Sequence, residues 1–262
     1  LGAVASAGNN LTLDTGSVAG AAISVASFAG GGVITIRDSG GTTFAGTVAA
    51  ATVALTDTTG TIQFSDNLTV TTALTTASEA YLVSILGSAN VIAGTTTFLN
   101  TGVVTLGNAG GDSTTFTAGV VATVPSALNI AGTVAANTST STIALGDGNT
   151  NVAVTASSTV GGAATGLIDI GDATLVDGAT LTVGTGVANA INLDKVTGTA
   201  SGAVSSLTIN TSGLVNVAEA VGTDIGVVTL TQSGGTTFAD TVAAVTVTLT
   251  DTTGTIAFNG NL

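Results

Sequence analysis

The chain has no cysteine, histidine, methionine or tryptophan in its 262 residues, and one proline and one tyrosine. Without thiol or imidazole it holds no disulfide, no cysteine or histidine nucleophile or base, and no zinc site of the usual Cys/His kind. Charge is scarce as well. Only 6% of residues are charged, and the two cations, Arg37 and Lys195, face fifteen acids for a formal net charge of −13. Such a surface has no phosphate-binding footprint, which excludes nucleic acid as a partner, and attraction to an anionic membrane surface fails for the same reason. The acids stand singly rather than in runs, the pattern of a solvated, mutually repelling surface. Long apolar runs are missing too. The most apolar stretch, residues 118–136, is broken by Thr123, Pro125, Ser126, Asn129 and Thr133, so no membrane-spanning helix is expected. One tyrosine and seven phenylalanines cannot build the aromatic girdles of a membrane barrel. The opening LGAVASAGNNLTL has neither the basic segment nor the cleavage pattern of a signal peptide. A soluble chain without membrane insertion is expected.

What the chain does contain is glycine (37 residues), 44% hydrophobic residues, and threonine at about a fifth of all positions, well above ordinary usage. It also repeats itself. Residues 39–68, SGGTTFAGTVAAATVALTDTTGTIQFSDNL, align without a gap with residues 233–262, SGGTTFADTVAAVTVTLTDTTGTIAFNGNL, at an offset of 194 and with 24 of 30 positions identical. Upstream, GVITI (32–36) meets GVVTL (226–230), and LTLDT (11–15) meets LTINT (207–211) after a two-residue slip. The organisation expected is one continuous repetitive β structure over 1–262, with one full long repeat at 33–226 and the start of the next copy at 227–262. The chain reads as a segment of a longer tandem array.

Inside the long unit the sequence alternates at the strand period: VITIRD (33–38), TVALTD (52–57), TIQFSD (61–66), STIALGD (141–147), LIDIGD (167–172), ATLTVG (179–184) and VTVTLTD (245–251). Valine, isoleucine and threonine dominate, most segments close on Asp, Asn or Gly, and no stretch carries a helical stripe. Segment starts fall about 9–10 residues apart, and the TTF triplets ending at Phe44, Phe98 and Phe116 are spaced by multiples of 18. A coil of about 19–20 residues would divide the unit into about ten coils and the chain into 13–14, a rod on the order of 65 Å long. An all-β, parallel β-solenoid of short Val/Thr-rich strands is therefore expected. The alternative is a chain of tandem β-sandwich domains, which would normally anchor its cores on aromatics this sequence has few of.

The densest carboxylates are Asp169, Asp172 and Asp177, in IDIGDATLVDG. Asp112 in LGNAGGDS and Asp147 in LGDGNTN lie in similar oxygen-rich turns. Aspartates at strand ends serve first as turn formers; as ligands they suit only a hard cation, calcium, and they lack the strict GGxGxD nonapeptide of calcium-binding β-rolls. Paired carboxylates can hydrolyse glycosides, but no aromatic platform or cation stands near these, and no catalytic residue and no further cofactor is expected. Gly184-Thr185-Gly186 lacks the third glycine and following helix of a dinucleotide fingerprint. Lys195 beside Asp194, and Arg37 beside Asp38, read as local ion pairs worth little. The T-x-T run Thr246, Thr248, Thr250 has the spacing of a threonine array that orders water, as in ice-binding solenoids.

With SGGTTFAGTVAA, LTDTTGTIQF, DNLTVTTALTT (66–76) and GTTTFLNTGVVTLGN (94–108) in view, the chain resembles the giant repetitive surface proteins of bacteria: β-strand-repeat proteins, filamentous-haemagglutinin-like adhesins and some S-layer proteins. The resemblance spans the whole chain and carries no catalytic signature. It implies an extracellular protein at a bacterial cell surface, non-catalytic, self-associating into a fibre, stalk, filament or layer, and often calcium-dependent. An adhesin binding surface glycans along its side face, and an ice-binding solenoid, are the alternatives.

Overall fold

A computed structural model describes residues 1–16 and 20–262. Among them are 32 short strands and no helix, and the chain is an all-β parallel β-solenoid. Three faces succeed one another around the axis. The first face stacks Ala3–Ala5, Ser27–Ala29, the start of Val48–Thr58 and of Leu68–Thr76, Ala89–Ile92 and Ser113–Phe116. It continues through the ends of Ala127–Ala135 and Asn151–Val160 to Thr180–Val183, Ser205–Asn210, Ile225–Ser233 and Thr246–Thr252. The second face runs from Leu11–Asp14 and Val33–Ser39 through the second halves of Val48–Thr58 and Leu68–Thr76. From Thr96–Thr97 onward it is a separate eight-stranded sheet ending at Ile256–Phe258. The Thr76 hydroxyl joins the two parts, donating to the Thr97 carbonyl at 3.2 Å and accepting the Leu99 N–H at 2.7 Å. The third face begins at Ile23–Val25, passes Thr42–Phe44, Thr61–Phe64, Leu82–Ile85 and Val104–Leu106, and reaches Val221 and Val242.

Alternation along each strand sends every second side chain to the axis, and parallel register stacks like on like. On the third face Ile62, Val83, Val104, Leu128, Val152, Ala173, Val196 and Val221 form one inward column, each of the eight buried. No coil can bury this column alone; each buries its neighbour, which is why the fold is cooperative along the axis. The aromatics are inside as well: Tyr81 and six of the seven phenylalanines are fully buried, so the interior is not filled by small residues alone. Polar struts cross it. Asn90, buried, accepts the Leu68 N–H and donates to the Gly87 carbonyl and the Thr114 hydroxyl, tying three successive turns.

The coil is longer than the sequence spacing suggests. Ile23 pairs with Thr42 and Asn137 with Ala164, so coils range from 19 to 27 residues. The rod has about 11 turns, not 13–14, and is about 50 Å long at the 4.8 Å strand spacing. The short coils occur where SGG and TTG make the corner. A Cβ on Gly60 would stand 1.9 Å from the Gly40 carbonyl oxygen, so only glycine lets these corners nest at that height. Wider coils in the middle carry extra corner residues, including the added two-stranded pairing of Asn137–Thr138 with Ala164–Thr165. Nor do the TTF triplets mark one face. Phe98 and Phe116 lie on adjacent faces and meet edge to face at 6.1 Å.

Candidate functional site

The rod's outer surface holds two ordered polar arrays. On the first face, the residue between each pair of inward side chains is threonine on six consecutive turns: Thr133, Thr159, Thr182, Thr208, Thr229 and Thr248 stand in register. The flanks of the inner members, such as Leu181 and Val183 or Leu207 and Ile209, are buried, whereas on the last turn Thr248 stands between half-buried Val247 and exposed Leu249; the members of the column are one strand spacing apart. Beside it a second, mixed column holds Thr180, Ser206, Val227 and Thr246. T-x-T spacing in the sequence pointed here, but the column is longer than any T-x-T run because register, not chain adjacency, assembles it.

On the second face, Asp169, Asn192, Asn216 and Thr237 form one outward column. Asn192, Asn216 and Thr237, with Leu214, Gly235 and Thr255, line an open groove of about 620 Å³. Leu214 is 69% exposed and pairs with Gly235, whose missing side chain leaves the notch. Amides and hydroxyls beside an apolar wall can hydrogen-bond a neutral, hydroxyl-rich ligand.

At the adjoining corner, between the second and third faces, acids recur turn after turn: Asp147, Asp172, Asp194 and Glu219, with Lys195 among them. Lys195 donates to Asp172 of the preceding turn, and this bond raises the Lys195 pKa. Burial, and then the charges of Glu219, Asp169, Asp172 and Asp147, push the Asp194 carboxyl up. The two cations therefore pair along the axis, Lys195 with Asp172 and Arg37 with Asp14. The partners in these two bridges are not the chain neighbours Asp194 and Asp38 but residues one coil away, brought together by the register of the stack.

Of the aspartates singled out by sequence, Asp147, Asp169 and Asp172 come to this one side of the rod. Asp147 Oδ1 accepts the N–H groups of Asn149 and Thr150, both at 2.8 Å. Asp112 lies elsewhere, buried, with Oδ2 accepting the N–H groups of Asn108 and Ala109 at 2.8 and 2.9 Å. Asp177 sits in another turn, its carboxylate filling the space where a Gly202 side chain would be. Two of the five carboxylates are thus engaged by backbone amides, and among the described residues no group of three or more acids could hold a metal ion. Sequence reading took Asp194 only as a neighbour of Lys195 and missed Glu219, Asn192 and Asn216. The intervals from Asp169 to Asn192 to Asn216, 23 and 24 residues, would have aligned them had the local coil been read at that length.

No family model matches the chain, and no curated protein or solved structure matches it.

Proposed function

We propose that this chain is a length of extracellular structural fibre, stalk or layer at a bacterial cell surface, acting mechanically and not as an enzyme. The observation that supports this reading best is the continuity of the stack: both copies of the long repeat belong to one uninterrupted column of parallel strands. A rod held by axial backbone hydrogen bonds sets reach and stiffness, and its anionic surface keeps it dispersed. Self-association copy upon copy along the axis is the assembly this reading expects, because parallel strand pairing can continue in that direction. Lateral contact works against −13 per segment, so salt or calcium should strengthen it by screening or bridging. Light scattering and negative-stain imaging across a calcium titration test this: filaments that thicken with calcium and thin with chelator are expected. A particle that stays monomeric under all conditions would overturn the reading.

The six-threonine column supports a second reading, a surface that orders water and binds ice. Ice-recrystallisation inhibition lost on Thr208→Lys is the expected result. Absence of inhibition by the unmodified chain sinks it.

A further inference from the structure

The two copies of the long repeat share one rod but not one face. Thr42–Phe44 belongs to the third face, whereas its counterpart Gly235–Phe238 belongs to the second. The third face rises eight turns from Thr42 to Val221, through Ile62, Val83, Val104, Leu128, Val152, Ala173 and Val196. Two further faces then bring the chain to Thr236. The 194-residue offset therefore spans eight and two-thirds turns.

The local structure is unaffected by this rotation. Phe44 stacks on Phe64 at 5.1 Å and 7°, and Phe238 on Phe258 at 5.0 Å and 3°. The Ser39 and Thr42 hydroxyls bond at one corner and those of Ser233 and Thr236 at the other. Gly41 and Gly235 have φ of 140° and 144°. The Thr59 N–H donates to the Ser39 carbonyl at 3.0 Å, and the Thr253 N–H to that of Ser233 at the same distance. TTF triplets occupy all three faces, at Phe116 on the first, Phe98 and Phe238 on the second and Phe44 on the third. The cross-section accepts the same side chains whichever face they arrive on.

We infer that the long repeat is a rotating module: each further copy docks on the edge left by the one before it, turned by two of the three faces, so that three copies return to the starting face. The edge concerned is the last turn. Val242, Thr246–Thr252 and Ile256–Phe258 repeat the residues 48, 52–58 and 62–64, and those are covered by Leu68–Thr76 and Leu82–Ile85. The partner that fits the open edge is thus a stretch with the sequence of residues 68–85, arriving one unit later. This deepens the fibre reading by setting its symmetry. Each unit adds about 42 Å of length, and any one side repeats after about 125 Å, at about 4.8 Å per turn. A feature found once per unit, such as the groove at Asn192 and Asn216, is offered to three sides in turn, and lateral partners surround the rod.

The chain has no cysteine, so pairs of introduced cysteines report the phase cleanly. A short bifunctional thiol reagent should join Thr237→Cys to Asn216→Cys on the second face in most molecules, and leave Thr237→Cys with Gly222→Cys, on the third, at background; the reverse overturns the inference. A chain extended after Leu262 by a second run of residues 69–262, imaged by cryo-electron microscopy, tests the recurrence. One unbroken rod with a third phenylalanine stack on the first face is expected. A third stack on either face already used, or a break in the rungs after Leu262, overturns it. Because the copies are covalently joined, these outcomes do not depend on self-association, and failure of the fibre reading leaves them unchanged.

Discussion

Residues 48–64 and 242–258 have nearly the same sequence and the same corner, yet one copy is roofed by later turns and the other is not. Val53 and Leu55 are 0% and 1% exposed, while Leu249, the counterpart of Leu55, is 47% exposed. Val245, which replaces Ala51, is 85% exposed. Phe64 is buried and Phe258 half-buried, although each stacks on the phenylalanine below it with the same geometry. The pair is a natural control. It separates what a strand gains from the turn beneath it from what it gains from the turn above, and it shows that local geometry is set by the first while burial needs both.

The largest effect expected from this contrast is at the stacked phenylalanines. Phe64→Ala opens a cavity walled on all sides and should cost about 3–5 kcal/mol. Phe258→Ala gives up one side of the contact and part of the stacking, and should cost about half that or less. Urea unfolding of the two variants measures the difference, and equal costs would mean that the covering turns add nothing to stability.

Next come the corner glycines. A Cβ on Gly60 would meet the Gly40 carbonyl oxygen at 1.9 Å, and one on Gly254 the Gly234 oxygen at 2.0 Å. The clash is the same but the room to relieve it is not. Gly60 is held from above, where its carbonyl accepts the Leu82 N–H at 3.2 Å. Gly60→Ala should therefore cost about 1–3 kcal/mol, as overpacking does, and Gly254→Ala less, because the last turn can lift. A larger loss at Gly254 would place the strain in the corner itself and not in its confinement.

The same contrast explains what was legible in the sequence. Strand alternation and the long repeat declare the parallel solenoid, because Val, Ile and Thr at period two are readable without knowing which strand follows which. Coil length was legible only where two glycine corners nest, as at Gly40 and Gly60. In the middle of the chain, corners such as 107–112, 146–149 and 184–190 absorb extra residues without altering the strands, so no fixed period exists there to be read. The candidate surfaces depend on that hidden register. Asp169, Asn192 and Asn216 align, as do Thr182, Thr208 and Thr229, only once each local coil length is known. Asp112 and Asp147 were visible as turn aspartates, but their capture by backbone N–H groups was not.

A smaller effect concerns the roof over the first copy. The Tyr81 hydroxyl donates to the Leu55 carbonyl at 3.1 Å and accepts the Ala77 N–H at 3.0 Å, and Leu249 has no such cover. Burial pushes the Tyr81 phenol from 10.0 up to about 12. A raised pKa means that this contribution to stability is whole below pH 10 and is lost as pH rises toward 12. Tyr81 is the only tyrosine, so ultraviolet absorbance should show one phenolate transition near pH 12, with the urea midpoint falling between pH 10 and 12. A transition at the ordinary value would mean that the roof over Leu55 is open to solvent.

The smallest effect expected is at the outermost rung contacts, where the copies differ most in sequence. In the first copy Asp14 pairs in register with Arg37; at the offset of 194 the counterpart of Arg37 is Thr231, so the second copy places a neutral residue where the first has its cation. The Asp14 carboxyl is held below 3.8 first by the Gly16 N–H, which donates to Oδ1 at 2.6 Å, and then by Arg37, bound to Oδ2 at 2.7 Å. A lowered carboxyl pKa gives stability that is present above 3.8 and lost as pH falls through the folded value. Arg37 is 54% exposed, where solvent weakens the pair. Arg37→Thr removes the second cause and leaves the first. The variant should unfold at the same urea concentration as the parent at pH 7, and by NMR its Asp14 should still titrate below 3.8. An Asp14 that returns to 3.8 or above in Arg37→Thr would show that the ion pair, and not the turn amide, holds the carboxylate. The threonine of the second copy, Thr231, would then be a loss to the fold rather than an equivalent.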